Sequence, residues 1–193
     1  MTKAHLWTSL AQPQDVGANN HQIGVLLGFL CAQFPLFFIQ TKKQFRPMDD
    51  KAQIMLHGTC VAVQNRGLMI LGASGAGKST LALALMALGA ALVADDRVIV
   101  TLRDGRLIAH CPDAILGRIE ARGVGILHAA PAGPVELALV VDLDRSEPQR
   151  LPPHRKLDLL GRSLPLVWGR GRDHLAPVLL QYLIARRADP EET

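Results

Sequence analysis

Eight consecutive residues, Gly72, Ala73, Ser74, Gly75, Ala76, Gly77, Lys78 and Ser79, have the spacing Gly-x4-Gly-Lys-Ser. Those residue types at that spacing suit one task, holding a chain of phosphates. Glycines let successive backbone N–H groups turn inward as a concave anion nest, where side chains would obstruct them. A helix that begins directly after the loop adds unpaired N–H donors and positive dipole character. Lys78 can then reach the outer phosphates of a nucleotide, and the Ser79 hydroxyl can ligate Mg2+.

The loop works only if its flanks are right. Residues 68–71 (Leu-Met-Ile-Leu) are short and apolar and read as a buried strand. Residues 80–88 are rich in Leu, Ala and Met without a breaker and read as a helix, which Gly89 stops. Residues 90–94 give a second buried strand that ends in Asp95 and Asp96. Only that helix and strand separate Lys78 from Asp96, so the second strand is expected beside the first or one place away. In an open α/β sheet, ligands bind beyond the carboxyl ends of the strands, which brings Asp95 and Asp96 to the edge that carries the phosphate loop. Residues 137–142 form a competing apolar run ending in Asp142, the pattern of an Mg2+-supporting acid in phosphate-loop ATPases. Spacing alone leaves both candidates open.

The remaining chain supplies more strands than helices. Residues 54–63 read as strand, turn, strand, with His57 and Gly58 in the turn, and residues 64–67 as a hairpin loop. Asp104-Gly105 marks a second hairpin between residues 98–101 and 107–109. Residues 112–134 are rich in Gly and Pro and suggest no definite element. Residues 136–144 read as a strand, Pro152-Pro153 as a break, 164–168 as a short strand and 169–172 as a basic turn. Residues 176–187 have helical spacing and close on Arg186 and Arg187, favourable at a helix C-terminus. The expected fold is α/β, a mixed sheet containing the phosphate loop and flanked by helices, forming one catalytic domain over residues 48–193.

Composition narrows the class. A chain of 193 residues that is nearly half apolar builds a real core, and its net charge of +4 comes from scattered arginines. No run of five or six like charges points to nucleic acid. Cys31, Cys60 and Cys111 show neither disulfide nor metal spacing, which suits a reducing cytoplasm. Residues 1–47 differ from the rest: all five phenylalanines fall between Phe29 and Phe45, and residues 23–39 are apolar apart from Gln33. Seventeen residues is the lower limit for a membrane span. Three readings of this stretch stand side by side: a buried or peripheral extension, a membrane anchor, or a non-native leader with translation beginning at Met48.

Four blocks, taken in order, resemble the catalytic domain of HPr kinase/phosphorylase, the bacterial enzyme acting on a serine of the phosphocarrier protein HPr. They are His57-Gly58, the loop 72–79, the run Leu92-Val93-Ala94-Asp95-Asp96-Arg97-Val98, and Glu120-Ala121-Arg122-Gly123-Val124-Gly125-Ile126. Arg155 and residues 167–172 form a looser fifth. The resemblance spans residues 54–187 and is to the short form, without the family's N-terminal domain. It implies a core like that of phosphoenolpyruvate carboxykinases, ATP and Mg2+ as cofactors, HPr as partner, and a cytoplasmic homo-oligomer, a hexamer in the family. It further implies that the loop amides and Lys78 hold the nucleotide and that Ser79 and Glu120 support Mg2+. Asp96 would deprotonate the substrate serine, or protonate it when inorganic phosphate attacks phosphoserine to give pyrophosphate. His57 would tune Asp96, Arg155 would steady the transferring phosphate, and residues 167–172 would serve dephosphorylation. Thr80 departs from the family, which often has an acid there, and the segment between Arg155 and Val167 is shortened.

The chemistry agrees with that assignment. Phosphoryl transfer has a loose transition state, so positioning and charge neutralisation do most of the work, and one carboxylate can serve both directions. Two alternatives remain: a small-molecule kinase or ATPase on a related phosphate-loop fold, and a module that binds nucleotide without catalysing transfer. His110, His128, His154 and His174 show no ligand spacing and read as structural.

Overall fold

The computed structural model describes residues 52–188. The extension at residues 1–47, with its three readings, lies outside the described residues. Among the described residues the elements run β1 (Gln53–His57), β2 (Thr59–Val63), β3 (Arg66–Leu71), α1 (Lys78–Ala87), β4 (Ala91–Ala94), β5 (Arg97–Arg103) and β6 (Arg106–His110). After a short 3-10 turn at Asp113–Ile115 come β7 (Arg118–Ala121), β8 (Gly125–His128), β9 (Val135–Asp142), β10 (Arg155–Leu159), β11 (Arg162–Trp168) and α2 (Leu175–Ala185).

Strand β3, which delivers the phosphate loop, is central, between β9, parallel to it, and β2, antiparallel. The sheet order is β1-β5-β6-β9-β3-β2-β4, with β11 parallel to β9 and β10 hairpinned to β11. Because β2 is antiparallel to both β3 and β4, those two strands point the same way, one place apart. Asp95 and Asp96 therefore emerge at the edge that bears the loop, as the sequence indicates.

The strands of the centre are buried on both faces and build two cores. Leu68 and Ile70 of β3 pack with Leu139 and Val141 of β9 against Leu81, Leu85, Leu175, Leu179 and Leu183 of the two helices. Met69 points the other way and packs with Cys60, Val93, Val98, Val100, Leu107, Ala109, Val140 and Leu164, all of them on strands. The helices thus cover one face only, where the sequence suggested helices flanking the sheet. The other face is closed by the sheet's own curl, which brings β4 near β6 and β2 near β5 although neither pair shares a ladder. The reason is connectivity: four of the strand-to-strand links are tight hairpins, too short to carry a crossover helix. Each fully buried Leu contributes about 1.5–3 kcal/mol through area removed from water, so the two layers supply much of the fold's stability.

Local chemistry explains what sequence patterns missed. Residues 118–128 form the β7–β8 hairpin, a separate two-stranded sheet whose β8 is exposed throughout, so no burial alternation signals it. The β10–β11 turn puts Leu160 at φ 47 and Gly161 at φ 75, without the Asn-Gly or Asp-Gly pair that usually marks such turns. Helix α2 ends at Ala185, with Arg186 already at φ 63, and Arg187 instead reaches back to the carbonyls of Pro152 and Pro153. No helix among the described residues is long and apolar enough to cross a membrane.

Candidate functional site

Helix α1 begins at Lys78 behind Gly77, which adopts φ 93 and provides no side-chain cap. That conformation favours glycine, and it leaves the first-turn N–H groups open toward an anion. The loop closes on a cavity of about 160 Å3 lined by residues that include His57, Gly75, Lys78, Ser79, Thr80, Asp95, Asp96, Glu120 and Arg122. Lys78 is only 8% exposed, and its ammonium folds back to donate to the carbonyls of Gly72 at 2.9 Å and Ala73 at 3.0 Å.

The same ammonium lies 3.2 Å from His57 Nε2, while His57 Nδ1 lies 3.0 Å from Asp96 Oδ1 and 3.1 Å from the Asp96 carbonyl. An ammonium has only donors and the two Asp96 oxygens only accept, so Nε2 carries the lone pair and Nδ1 the proton. Lys78, His57 and Asp96 thus form one connected chain on one side of the sheet. Gly58 makes it possible: a Cβ there would meet the Ile70 carbonyl at 2.8 Å, so only glycine lets β1 hand over to β2 this close to β3. Asp96 itself holds φ 67, a conformation that aspartate tolerates better than most residues, and its carbonyl receives the Gly58 N–H at 3.2 Å.

Asp95 turns inward. It is buried, and its carboxylate accepts from Thr59 Oγ1 at 2.6 Å, from Ser79 Oγ at 2.9 and 3.2 Å, and from the Glu120 N–H at 3.0 Å. Oxygen donors of this kind, two carboxylates and a hydroxyl beside a phosphate nest, fit a hard divalent cation shared with nucleotide phosphates. Glu120 reaches the same cavity from the start of the β7–β8 hairpin, with its side chain exposed.

Asp142 behaves differently. One carboxylate oxygen accepts the Asp144 N–H at 2.9 Å, and the other lies 3.4 Å from Arg145 Nε. It does not line the cavity. Asp144 instead holds the loop, with both carboxylate oxygens 2.9 Å from the Ala73 nitrogen. Of the two acids left open by spacing, the Asp95-Asp96 pair is the one beside Lys78 and Ser79.

Arg155 is not brought to this cluster. Its guanidinium makes a two-pronged pair with Glu147 at 2.8 and 3.1 Å and lies 3.4 Å above the centroid of the Trp168 ring. It lines a separate cavity of about 480 Å3, walled by Leu151, Pro153, Leu166, Val178 and Tyr182. The segment after Arg155 folds as the β10–β11 hairpin, which docks Arg155 on Trp168. The basic turn at residues 169–172 does approach the loop, sharing a surface cleft with Ala76, Gly77 and Thr80. Thr59, Asp144 and Arg122 are site neighbours that sequence reasoning passed over. Arg122 alone had a signal, its place in the Glu-x-Arg-Gly-x-Gly block.

Residues 50–133 match the family described as HPr Serine kinase C-terminal domain. The chain is 39% identical over 141 residues to the HPr kinase/phosphorylase of Aromatoleum aromaticum, an alignment covering 61% of this chain and 44% of that protein. It is 44% identical over 72 residues to a Clostridium botulinum protein of the same name, covering 37% and 24% of the two chains. Among solved structures it resembles the Hpr(Ser) kinase/phosphatase from Coxiella burnetii, with a TM-score of 0.58 and 25% identity over 68% of this chain and 88% of that one. The chain thus spans less than half the length of these HPr kinase/phosphorylase relatives.

Proposed function

We propose that the chain is an ATP- and Mg2+-dependent protein-serine kinase that phosphorylates HPr. The observation that carries the reading is the continuous Lys78–His57–Asp96 chain, which sets a carboxylate one imidazole ring away from the ammonium that would hold the outer phosphates. Lys78 and the loop amides bind and orient the nucleotide. Asp96 accepts the serine proton late in a loose transition state, and His57, donating from Nδ1, fixes the carboxylate's direction. Ser79, Asp95 and Glu120 would hold Mg2+, which when bound offsets charge on the phosphates.

Run backward with inorganic phosphate as the attacking group, the same residues convert phosphoserine to serine and pyrophosphate, with Asp96 returning the proton. The likeness to proteins named HPr kinase/phosphorylase supports this second activity. We place the chemistry in the cytoplasm, in a homo-oligomer that sedimentation would count. The deciding test is labelling of HPr by radioactive ATP, beside a panel of small hydroxyl acceptors. Asp96→Asn is expected to abolish HPr labelling while ATP binding stays within about threefold of native. Activity lost in Asp142→Asn and kept in Asp96→Asn would replace this reading with a generic ATPase.

A further inference from the structure

Phosphoryl transfer spreads negative charge over three equatorial oxygens, and a guanidinium that meets them is worth orders of magnitude in rate. Arg155, the residue the resemblance offers for that task, has its forked edge committed to Glu147 and its face to Trp168. We infer that Arg122 supplies the guanidinium at the transferring phosphoryl group. This rests on the kinase reading and deepens it.

Three observations carry the assignment. The two terminal nitrogens of Arg122 lie 3.6 and 3.8 Å from where a Cβ on Gly75 would stand, so the guanidinium sits directly over the phosphate loop. Arg122 lines the same cavity as Lys78, Ser79, Asp95 and Asp96. Among the described residues it makes no hydrogen bond or ion pair, so all five of its donors are available to an anion.

Its position is set rather than loose. Arg122 opens the turn directly after β7, and that strand is pinned by buried Ile119 and by the Glu120 N–H donating to Asp95. Asp95 also receives the Ser79 hydroxyl, so one carboxylate fixes both the loop serine and the arm that bears Arg122. Gly75 has no side chain to hold the guanidinium off, and the exposed arginine loses little solvation before a phosphate arrives. Planar, forked donors can then bridge two phosphoryl oxygens, which an ammonium cannot do.

A transition-state mimic tests this without any acceptor. The measured quantity is trapping of Mg2+-ADP with aluminium fluoride, beside binding of Mg2+-ADP alone, on the full chain. Arg122→Ala is expected to bind ADP within about fivefold of native and to lose fluoroaluminate trapping by about a hundredfold or more. Arg122→Lys should recover only a small part of that loss. The double variant Arg155→Met with Glu147→Gln, which leaves neither charge orphaned, should trap as native does. Undiminished trapping by Arg122→Ala sinks Arg122 and leaves the kinase reading standing. Trapping lost in the double variant at an unchanged melting temperature gives the role back to Arg155. A native chain that binds ADP but forms no fluoroaluminate complex removes the transfer reading, and the role of Arg122 with it.

Discussion

Arg122 lines the phosphate-loop cavity and Arg155 the cavity at Trp168, and the two differ in what has already claimed the guanidinium. Around the phosphate loop, in a space of about 160 Å3, Arg122 has no partner among the described residues and Lys78 leans on two carbonyls and the His57 ring. Around Trp168, in about 480 Å3, Arg155 is matched by a Glu147 side chain that is only 3% exposed. The larger, more apolar cavity is the usual first guess for a ligand site. Here the smaller one sets Lys78 and Arg122 beside the loop amides, and those donors are what a polyphosphate needs. A guanidinium satisfied by its own fold adds rigidity; one left open can do chemistry.

Substitutions in the two regions should therefore separate activity from stability. The largest effect belongs to the loop cavity: Asp96→Asn should lower transfer by about 10³-fold, whereas Glu147→Gln should leave it within about threefold. Equal losses would erase the distinction between the cavities. Next is Thr59, whose hydroxyl fixes Asp95 at 2.6 Å from a fully buried position. Thr59→Val, which removes only that donor, should weaken Mg2+-dependent ADP binding by about tenfold, the equivalent of about 1.4 kcal/mol, and Thr59→Ser should restore most of it. A uniform loss of ADP binding with and without Mg2+ would mean that Thr59 matters only to folding.

Smaller still is the effect at Trp168. Arg155→Met alone strands the Glu147 carboxylate and should lower the melting temperature by a few degrees with little change in ADP affinity. The smallest effect is in pH. Hydrogen bonds from Arg155 hold the Glu147 carboxyl below its ordinary value of 4.5. Its folded pKa is depressed, so the pair's contribution is present above that ordinary value and is lost as pH falls through the folded one. The native melting temperature should accordingly fall more steeply than that of Glu147→Gln below about pH 4.5. Parallel slopes would show that the pair carries no such linkage.

How much of this was legible beforehand can be judged residue by residue. The loop, its strand and its helix were readable because short-range rules govern them: glycine's backbone freedom, an apolar run and uninterrupted helix formers. The shared edge for Asp96 followed from a single connection. Arg155 was misplaced because its surroundings depend on a hairpin whose turn, Leu160-Gly161, carries no sequence signal and whose docking partner, Trp168, comes from the following strand. The β7–β8 hairpin escaped for the opposite reason, since β8 is exposed throughout and β7 buries only Ile119, too little to show a periodicity.

The amino-acid order alone established a phosphate nest, the strand and helix that frame it, and an acid pair near enough to serve it, all through contacts between neighbours in the chain. Only the folded molecule decided which of the two acids turns inward to Ser79, that His57 joins Lys78 to Asp96, and that Arg155 is paired where Arg122, among the described residues, is not. Those outcomes hang on distances between side chains far apart in sequence. They are set by the curl of one sheet, and no local pattern of residues encodes that curl.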